Sequence, residues 1–252
     1  MKIDSELMEA TVIERKNRFL VEVESSGKTL NVHLHDPGRL KELIFPGAKV
    51  NIRRTKGEKT SFSITSVIHN DEEILIDTRF HNSIAEIFIN GGFRREVTHG
   101  DSRYDFGIED GYVEVKGCSM QLGEYIIFPD APTSRGAKHI RNLTKMRNEG
   151  MNTNLIFLLF RRNTKYFYPN IVTDPIFAEA FFEAVSSGVG MIFPRFSMKG
   201  DSIFYESLQI VISSHFLVSY IKSLFLNTQS YIHLSVRLGK KPSHNPQEQV
   251  HC

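Results

Sequence analysis

The stretch SRYDFGIEDGYVEVKG, residues 102–117, contains two acids and a lysine that could act together, Asp105, Glu114 and Lys116. The alternation of valine with charged residues in YVEVK predicts a short strand that carries Glu114 and Lys116 on one face. A strand at 103–108, a turn at 109–111 and a return strand at 112–116 form a predicted hairpin that brings Asp105 to Glu114. Converging carboxylates repel each other unless a cation lies between them, and oxygen ligands suit Mg²⁺ or Mn²⁺. The stretch therefore predicts a metal site where Lys116 orients or deprotonates a bound water. These are the groups that metal-assisted phosphodiester hydrolysis requires.

The same stretch has a plainer interpretation. An edge strand can turn Glu114 and Lys116 toward water, where such an ion pair contributes little. Asp105 on the neighbouring predicted strand is the observation that favours a site over a solvated edge.

A basic helix is predicted at SRGAKHIRNLTKMRNEG, residues 134–150, with Ser134 as its N-cap. Its apolar residues can face a sheet, and its basic residues then lie on the other side. The basic residues on that side are Arg135, Lys138, Arg141 and Lys145, and the helix also contains His139 and Arg147. The helix is either a solvated surface or a phosphate-binding surface, and its place directly after the predicted hairpin and one further strand favours phosphate.

A second basic cluster lies on a turn between predicted strands and contains Arg53, Arg54, Lys56 and Lys59. It is interpreted as ordinary protein surface, with a nucleic-acid groove as the alternative.

The order of predicted elements divides the chain. Residues 1–77 show short alternating strands, turns and one short helix at 38–44, which suggests an oligonucleotide/oligosaccharide-binding (OB) type barrel. Residues 78–212 interleave strands with helices and predict an α/β domain with a mixed sheet. In this half the helices are predicted at 82–90, 134–150 and 174–188, and the strands after the hairpin at 124–129, 154–161 and 189–198. Residues 213–252 are predicted to be a partly disordered tail.

Composition sets limits on the class of protein. The chain has 252 residues, 40% hydrophobic and 24% charged, with a formal net charge of +2, so any basic surface must be local. Cys118 and Cys252 cannot form a disulfide framework or a zinc site, which fits a reducing compartment. The N-terminus has acids where a secretion signal has apolar residues, and the most apolar segment, 208–226, is too polar for a good membrane span. The expectation is a cytoplasmic protein that does not insert into a membrane.

A long spaced pattern resembles the sugar fermentation stimulation protein A (SfsA) family over about residues 10–212. The pattern includes HLHDPGRLKELIFPGAKV, REVTHGDSRYDF, YVEVKG and FPDAPTSRGAKH. The resemblance implies a DNA-binding protein with an N-terminal OB-like barrel and a C-terminal domain like the PD-(D/E)xK nucleases. It further implies that Asp105 and Glu114 are metal-binding acids, that Lys116 is the motif lysine, and that Glu86 is an extra acid found in some such nucleases. Asp130, Arg135, Lys138 and His139 fall in the pattern's FPDA…RG.KH segment.

These observations together predict a two-domain DNA-binding protein with a Mg²⁺ or Mn²⁺ site of nuclease type. Glu86, Asp105, Glu114 and the Val115 carbonyl are the predicted metal ligands, and Asp105, Glu114 and Lys116 the predicted catalytic residues. Nucleic acid is predicted to contact Arg135, Lys138, His139, Arg141, Arg53 and Arg54, with the first three on the scissile phosphate. Two alternatives stay open: a DNA-binding regulator that keeps the fold without turnover, and a domain that uses a metal only for stability.

Overall fold

Six strands form the first part of the chain, where alternating apolar residues are interrupted by turn residues. A computed structural model describes residues 1–57 and 60–208 of the protein. The strands are β1 (Leu7–Arg15), β2 (Leu20–Ser25), β3 (Lys28–His33), β4 (Lys49–Arg54), β5 (Phe62–His69) and β6 (Glu72–Leu75).

The first five strands close into a barrel. Antiparallel pairing gives the order β3-β2-β1-β4-β5, and a parallel contact between His33 and Ser63 joins β3 to β5. This closure is that of a small OB barrel, as predicted. Inward-facing residues such as Val21, Val50 and Ile52 are completely buried and form its core.

The short helix predicted at 38–44 is wrong. Leu40 has a left-handed backbone with φ of 46°, which ends any right-handed helix at that residue. A single turn forms instead, in which the Leu40 carbonyl accepts the N–H groups of Leu43 and Ile44.

The rest of the described chain alternates strands with helices. The strands are β7 (Phe93–His99), β8 (Ser102–Ile108), β9 (Gly111–Cys118), β10 (Met120–Leu122), β11 (Tyr125–Phe128), β12 (Asn152–Leu159), β13 (Tyr166–Pro169), β14 (Gly190–Ile192), β15 (Pro194–Lys199) and β16 (Ser202–Leu208). The helices are α1 (His81–Ala85), which continues as a 3₁₀ turn over Glu86–Phe88, α2 (Ser134–Asn148) and α3 (Pro175–Ser186).

A mixed sheet is the framework of this half. Its order is β6-β15-β12-β9-β8-β7, with β12 parallel to β9 and β8 antiparallel to it. A second sheet of three strands contains β10, β11 and β13. The strand predicted at 189–198 is two strands, β14 and β15, which both pair with β12.

Helix α2 packs as its apolar pattern predicted. Ala137, Ile140, Leu143 and Met146 are buried, although the N-cap is Thr133 rather than Ser134. The Thr133 hydroxyl accepts the N–H of Gly136 at 3.1 Å, which satisfies a free donor of the first turn.

The barrel and the α/β half share one continuous sheet, because β15 pairs with β6 at Met198 and Glu73. The domain boundary near residue 77 therefore stays a prediction. The tail predicted at 213–252 lies outside the described residues. Among the residues that are described, no helix is long and apolar enough to cross a membrane.

Candidate functional site

The predicted hairpin forms and places Asp105 beside Glu114. Strands β8 and β9 pair from Ile108 and Gly111 to Phe106 and Val113, and Asp105 and Glu114 lie just beyond the last of these pairs. There the Asp105 side chain takes the place of a backbone acceptor of the β-ladder, because its Oδ2 accepts the Val115 N–H at 2.8 Å. Asn82 of α1 donates to Asp105 Oδ1 at 3.1 Å. The carboxylate is thus fixed from two sides.

Glu114 is buried, with 4% of its surface exposed, and only one of its two oxygens is satisfied. Oε1 accepts from Lys116 Nζ at 2.5 Å and from His139 Nδ1 at 2.7 Å. Oε2 is buried and has no hydrogen-bond partner among the described residues. An orphaned carboxylate oxygen is costly in the interior unless a cation or a water meets it.

Helix α2 supplies the histidine that holds Glu114. Arg135 lies one turn before His139, and its Nε donates to His139 Nε2 at 3.4 Å. This contact leaves the ring proton on Nδ1, which is the atom that faces Glu114. The histidine predicted to engage the scissile phosphate therefore acts on a carboxylate in this structure.

The two acids have opposite pKa shifts. Burial raises the pKa of Asp105, and the nearby charge of Glu114 raises it further. Burial also favours a raised pKa for Glu114, but the Lys116 charge and the His139 hydrogen bond outweigh it and lower that pKa. Glu114 is thus the more firmly ionised of the two.

A cavity of about 890 Å³ opens over this hairpin. Its lining includes Asp105, Val115 and Lys116, with Arg79, Arg95 and Arg135 as further cations. Asp36 and Pro37 of the barrel also line it, so both halves of the chain contribute to one site. A smaller adjoining cavity contains Glu114, Arg103 and His139 together with Asp105 and Lys116. Arginines around paired acids form a surface suited to a phosphate diester.

The basic residues of α2 separate into different roles. Arg135 lines the cavity, as expected of a phosphate contact. Lys138 instead pairs with Asp101 at 2.6 Å, and Arg141 pairs with Glu179 of α3 at 3.0 Å. These acids lie on other elements, so they could not be matched to α2 from its own pattern.

The arginines of the barrel also differ from each other. Arg53 is largely buried and donates to Asp77 Oδ2 at 2.9 Å. Asp77 is completely buried and also accepts two hydrogen bonds from the Arg79 guanidinium. Arg53 thus stabilises the buried acid that fixes Arg79 in the cavity wall. Arg54 is exposed and lies over the Phe62 ring at 5.1 Å. Lys59 of this cluster lies outside the described residues.

Glu86 does not join the two acids. Its carboxylate accepts from Arg95, and it is absent from the described lining of the cavity. Asn82, one helical turn earlier, reaches Asp105 in its place. Within residues 1–57 and 60–208, no three Asp, Glu, His or Cys side chains are grouped as a metal-ligand set.

Two carboxylates are nevertheless a fitting donor set for Mg²⁺ or Mn²⁺. Mg²⁺ keeps several waters and is held by one or two carboxylates together with phosphate oxygens of a substrate. The orphaned Oε2 of Glu114 beside Asp105 meets this requirement.

Two known domain families match consecutive parts of the chain. A model described as the SfsA N-terminal OB domain matches residues 13–76. A model described as the sugar fermentation stimulation protein RE domain matches residues 73–202. The class is thus a protein with an OB barrel and a PD-(D/E)xK nuclease-like α/β domain.

Relatives extend over most of the chain. A sugar fermentation stimulation protein homolog from Saccharolobus solfataricus is 48% identical over 199 residues, which are 79% of this chain and 83% of the relative. One from Thermoplasma volcanium is 44% identical over 202 residues, which are 80% of this chain and 93% of the relative. The structure of Pyrococcus furiosus SfsA in complex with Ca²⁺ matches with a TM-score of 0.76 and 28% identity, covering 84% of this chain and 100% of that one. This chain belongs to the sugar fermentation stimulation protein family.

Several cavity residues were not found by sequence reasoning. Arg79, His81, Asn82 and Arg95 line the cavity. His81 packs so closely on Gly117 that a Cβ there would lie 2.1 Å from its ring. Asn82 belongs to the predicted helical pattern NSIAEIF, whose position before the hairpin could have indicated it, whereas Arg79, His81 and Arg95 lie outside that pattern.

Proposed function

We propose that this protein is a nucleic-acid-binding phosphodiesterase of nuclease type that uses Mg²⁺ or Mn²⁺. The observation that carries the proposal is the state of Glu114. One of its oxygens is held by Lys116 and His139, while the other is buried, unpartnered and next to Asp105. Such an arrangement is unfavourable for stability alone and useful for binding a cation.

The chain's own residues supply most of the chemistry. Asp105, Glu114 and the Val115 carbonyl would hold the cation, which when bound supplies charge stabilisation and a more acidic water. Lys116 lies over the same carboxylate and is placed to orient a water or take its proton. Arg135, Arg79 and Arg95 line the cavity, where their guanidinium groups can bind the phosphate of a substrate.

Two further observations support this proposal. The similar Pyrococcus furiosus protein is described in complex with Ca²⁺, a hard cation that takes oxygen ligands. The OB barrel is a fold that often binds nucleic acid. DNA is proposed as the partner and the cytoplasm as the location, in keeping with the sequence analysis.

A DNA-binding regulator without turnover is the second candidate. Two ion pairs within the chain favour it. Lys116 is paired with Glu114 rather than free to act on a water, and Glu86 is paired with Arg95 rather than with the two acids. This candidate expects binding with no metal-dependent cleavage.

The test is incubation of purified protein with single- and double-stranded DNA and RNA, with Mn²⁺ or with a chelator. The parent is expected to cleave at least one substrate only with Mn²⁺. Lys116→Ala should lower that rate about 10²- to 10⁴-fold. Lys138→Ala is the matched control, since Lys138 pairs with the exposed Asp101. Binding without cleavage by the parent would favour the regulator.

A further inference from the structure

Three aromatic rings form a row on the OB barrel. Phe19, in the turn before β2, stacks on His33 at 6.1 Å with an interplanar angle of 7°. His33 meets His35 edge-on at 4.2 Å. His35 is fixed in turn, because its Nε2 contacts Ser63 Oγ at 3.1 Å. A rigid row of rings thus ends at Phe19.

Phe19 leaves ring surface open at the end of this row. It is 42% exposed, although its ring has a parallel partner on the side of His33. The guanidinium of Arg18 lies 5.5 Å from the centre of the ring. A half-exposed ring with a guanidinium over it is suited to stacking a nucleic-acid base, because every base has a π-face and arginine adds a cation–π contribution.

The row leads to the cavity described above. Arg18 Nε donates to the Pro37 carbonyl at 2.7 Å, and Pro37 lines that cavity. A second cavity of about 150 Å³ contains Arg18 and shares Asp36, Pro37 and Gly117 with the first. The His35 carbonyl also accepts from Thr78, another residue of the cavity lining. The barrel surface and the paired acids are therefore parts of one continuous path.

We propose that Phe19 stacks an unpaired base of a single-stranded nucleic acid whose backbone runs past Arg18 and Pro37 toward Asp105 and Lys116. The substrate is single-stranded at this point because duplex bases stack on each other and leave no face for Phe19. This inference rests on the proposed function and specifies its substrate.

The absence of tryptophan from the sequence gives a direct test. Phe19→Trp introduces a single indole, whose fluorescence falls when a base stacks on it. Phe45→Trp is a matched control, because Phe45 has the same 42% exposure and lies in another turn of the barrel. Titration with oligothymidylate in the presence of a chelator reports binding without cleavage.

Saturable quenching is expected in Phe19→Trp only. An oligonucleotide of abasic sites and a blunt duplex should each leave the signal unchanged. Phe19→Ala should lower affinity for oligothymidylate about 5- to 100-fold, while Phe19→Tyr keeps most of it. If Phe19→Trp does not fold, the affinities of Phe19→Ala and Phe19→Tyr for oligothymidylate test the stacking site instead.

Equal quenching of both indoles, or unchanged affinity in Phe19→Ala, would overturn the stacking site. Quenching in a protein that never cleaves with Mn²⁺ would overturn the proposed nuclease and leave the stacking site. Mn²⁺-dependent cleavage without quenching of Phe19→Trp would overturn the stacking site and leave the proposed nuclease.

Discussion

His139 of α2 donates through Nδ1 to Oε1 of Glu114 at 2.7 Å, and both side chains are buried. The hydrogen bond links the helix after the hairpin to the acid on β9. It also helps to keep the pKa of Glu114 low in a place where burial alone favours a raised pKa. His139 is thus a positioning residue, since it acts through Glu114.

The first prediction concerns this hydrogen bond. His139→Ala should lower metal-dependent cleavage about 10- to 100-fold, because a hydrogen bond to a buried charge contributes about 1.5–3 kcal/mol. The pKa of Glu114 should rise at the same time, so the acid limb of the pH–rate profile should move to higher pH. His139→Asn, whose amide can replace the Nδ1 donor, should restore part of both. An unmoved acid limb in His139→Ala would contradict the positioning role.

The second prediction separates two basic residues of the same helix. Arg135 lines the cavity, whereas Lys138 pairs with Asp101. Arg135→Gln should lower the slope of log affinity against log salt by about 0.7 for a single strand, the loss of one phosphate contact. Lys138→Gln should leave the slope nearly unchanged. Equal effects of the two substitutions, measured by fluorescence anisotropy, would show that the cavity is not the binding surface.

The third prediction tests a structural role for Arg53. Asp77 is completely buried and accepts from both Arg53 and Arg79. Arg53→Met should lower the free energy of unfolding by about 2 kcal/mol, since it removes one donor from a buried carboxylate. Arg54→Met is the control and should cost less than about 1 kcal/mol, as expected of an exposed cation over a ring. If denaturant unfolding gives equal losses, Arg53 has no special role in stability.

The fourth prediction follows from Asp36 at the edge of the cavity. Burial raises the pKa of Asp36 to about 6, and the charge of Asp130 adds to the rise. A raised pKa in the folded state stabilises the protein at low pH, and this contribution is lost as pH rises through about 6. Asp36→Asn removes this dependence and can still accept the Gly38 N–H, which lies 2.7 Å from Asp36 Oδ1.

Unfolding free energies of parent and Asp36→Asn should therefore diverge with pH. Relative to the parent, the variant should gain about 1 kcal/mol between pH 5 and pH 8. A constant difference across this range would mean that Asp36 titrates at its ordinary pKa.

Local pattern was enough to predict the hairpin, because strand alternation and the turn at 109–111 fix which residues share a face. The same holds for the buried side of α2 and for the OB barrel, where short strands and turns alternate regularly. The partners of charged residues could not be predicted. Arg53 of β4 meets Asp77, which follows β6, and His139 meets Glu114 across a helix–sheet contact, and neither pair is close in sequence.

Glu86 shows how backbone detail decides a site. Helix α1 ends at Ala85 and tightens into a 3₁₀ turn, so the residue that reaches Asp105 is Asn82 and not Glu86. The turn at 38–44 shows the same limit, since the pattern there is helical but Leu40 takes a left-handed backbone.

The most direct test of the metal site is calorimetry of Mn²⁺ binding to the intact protein in the absence of nucleic acid. One Mn²⁺ site is expected, which is lost in Asp105→Asn and much weakened in Glu114→Gln, because each change removes a charged ligand. Glu86→Gln is the matched control and should bind Mn²⁺ like the parent, since Glu86 accepts from Arg95 and is not itself among the residues that line the cavity. A parent that binds no Mn²⁺, or an Asp105→Asn variant that binds it equally well, would contradict a metal site formed by Asp105 and Glu114.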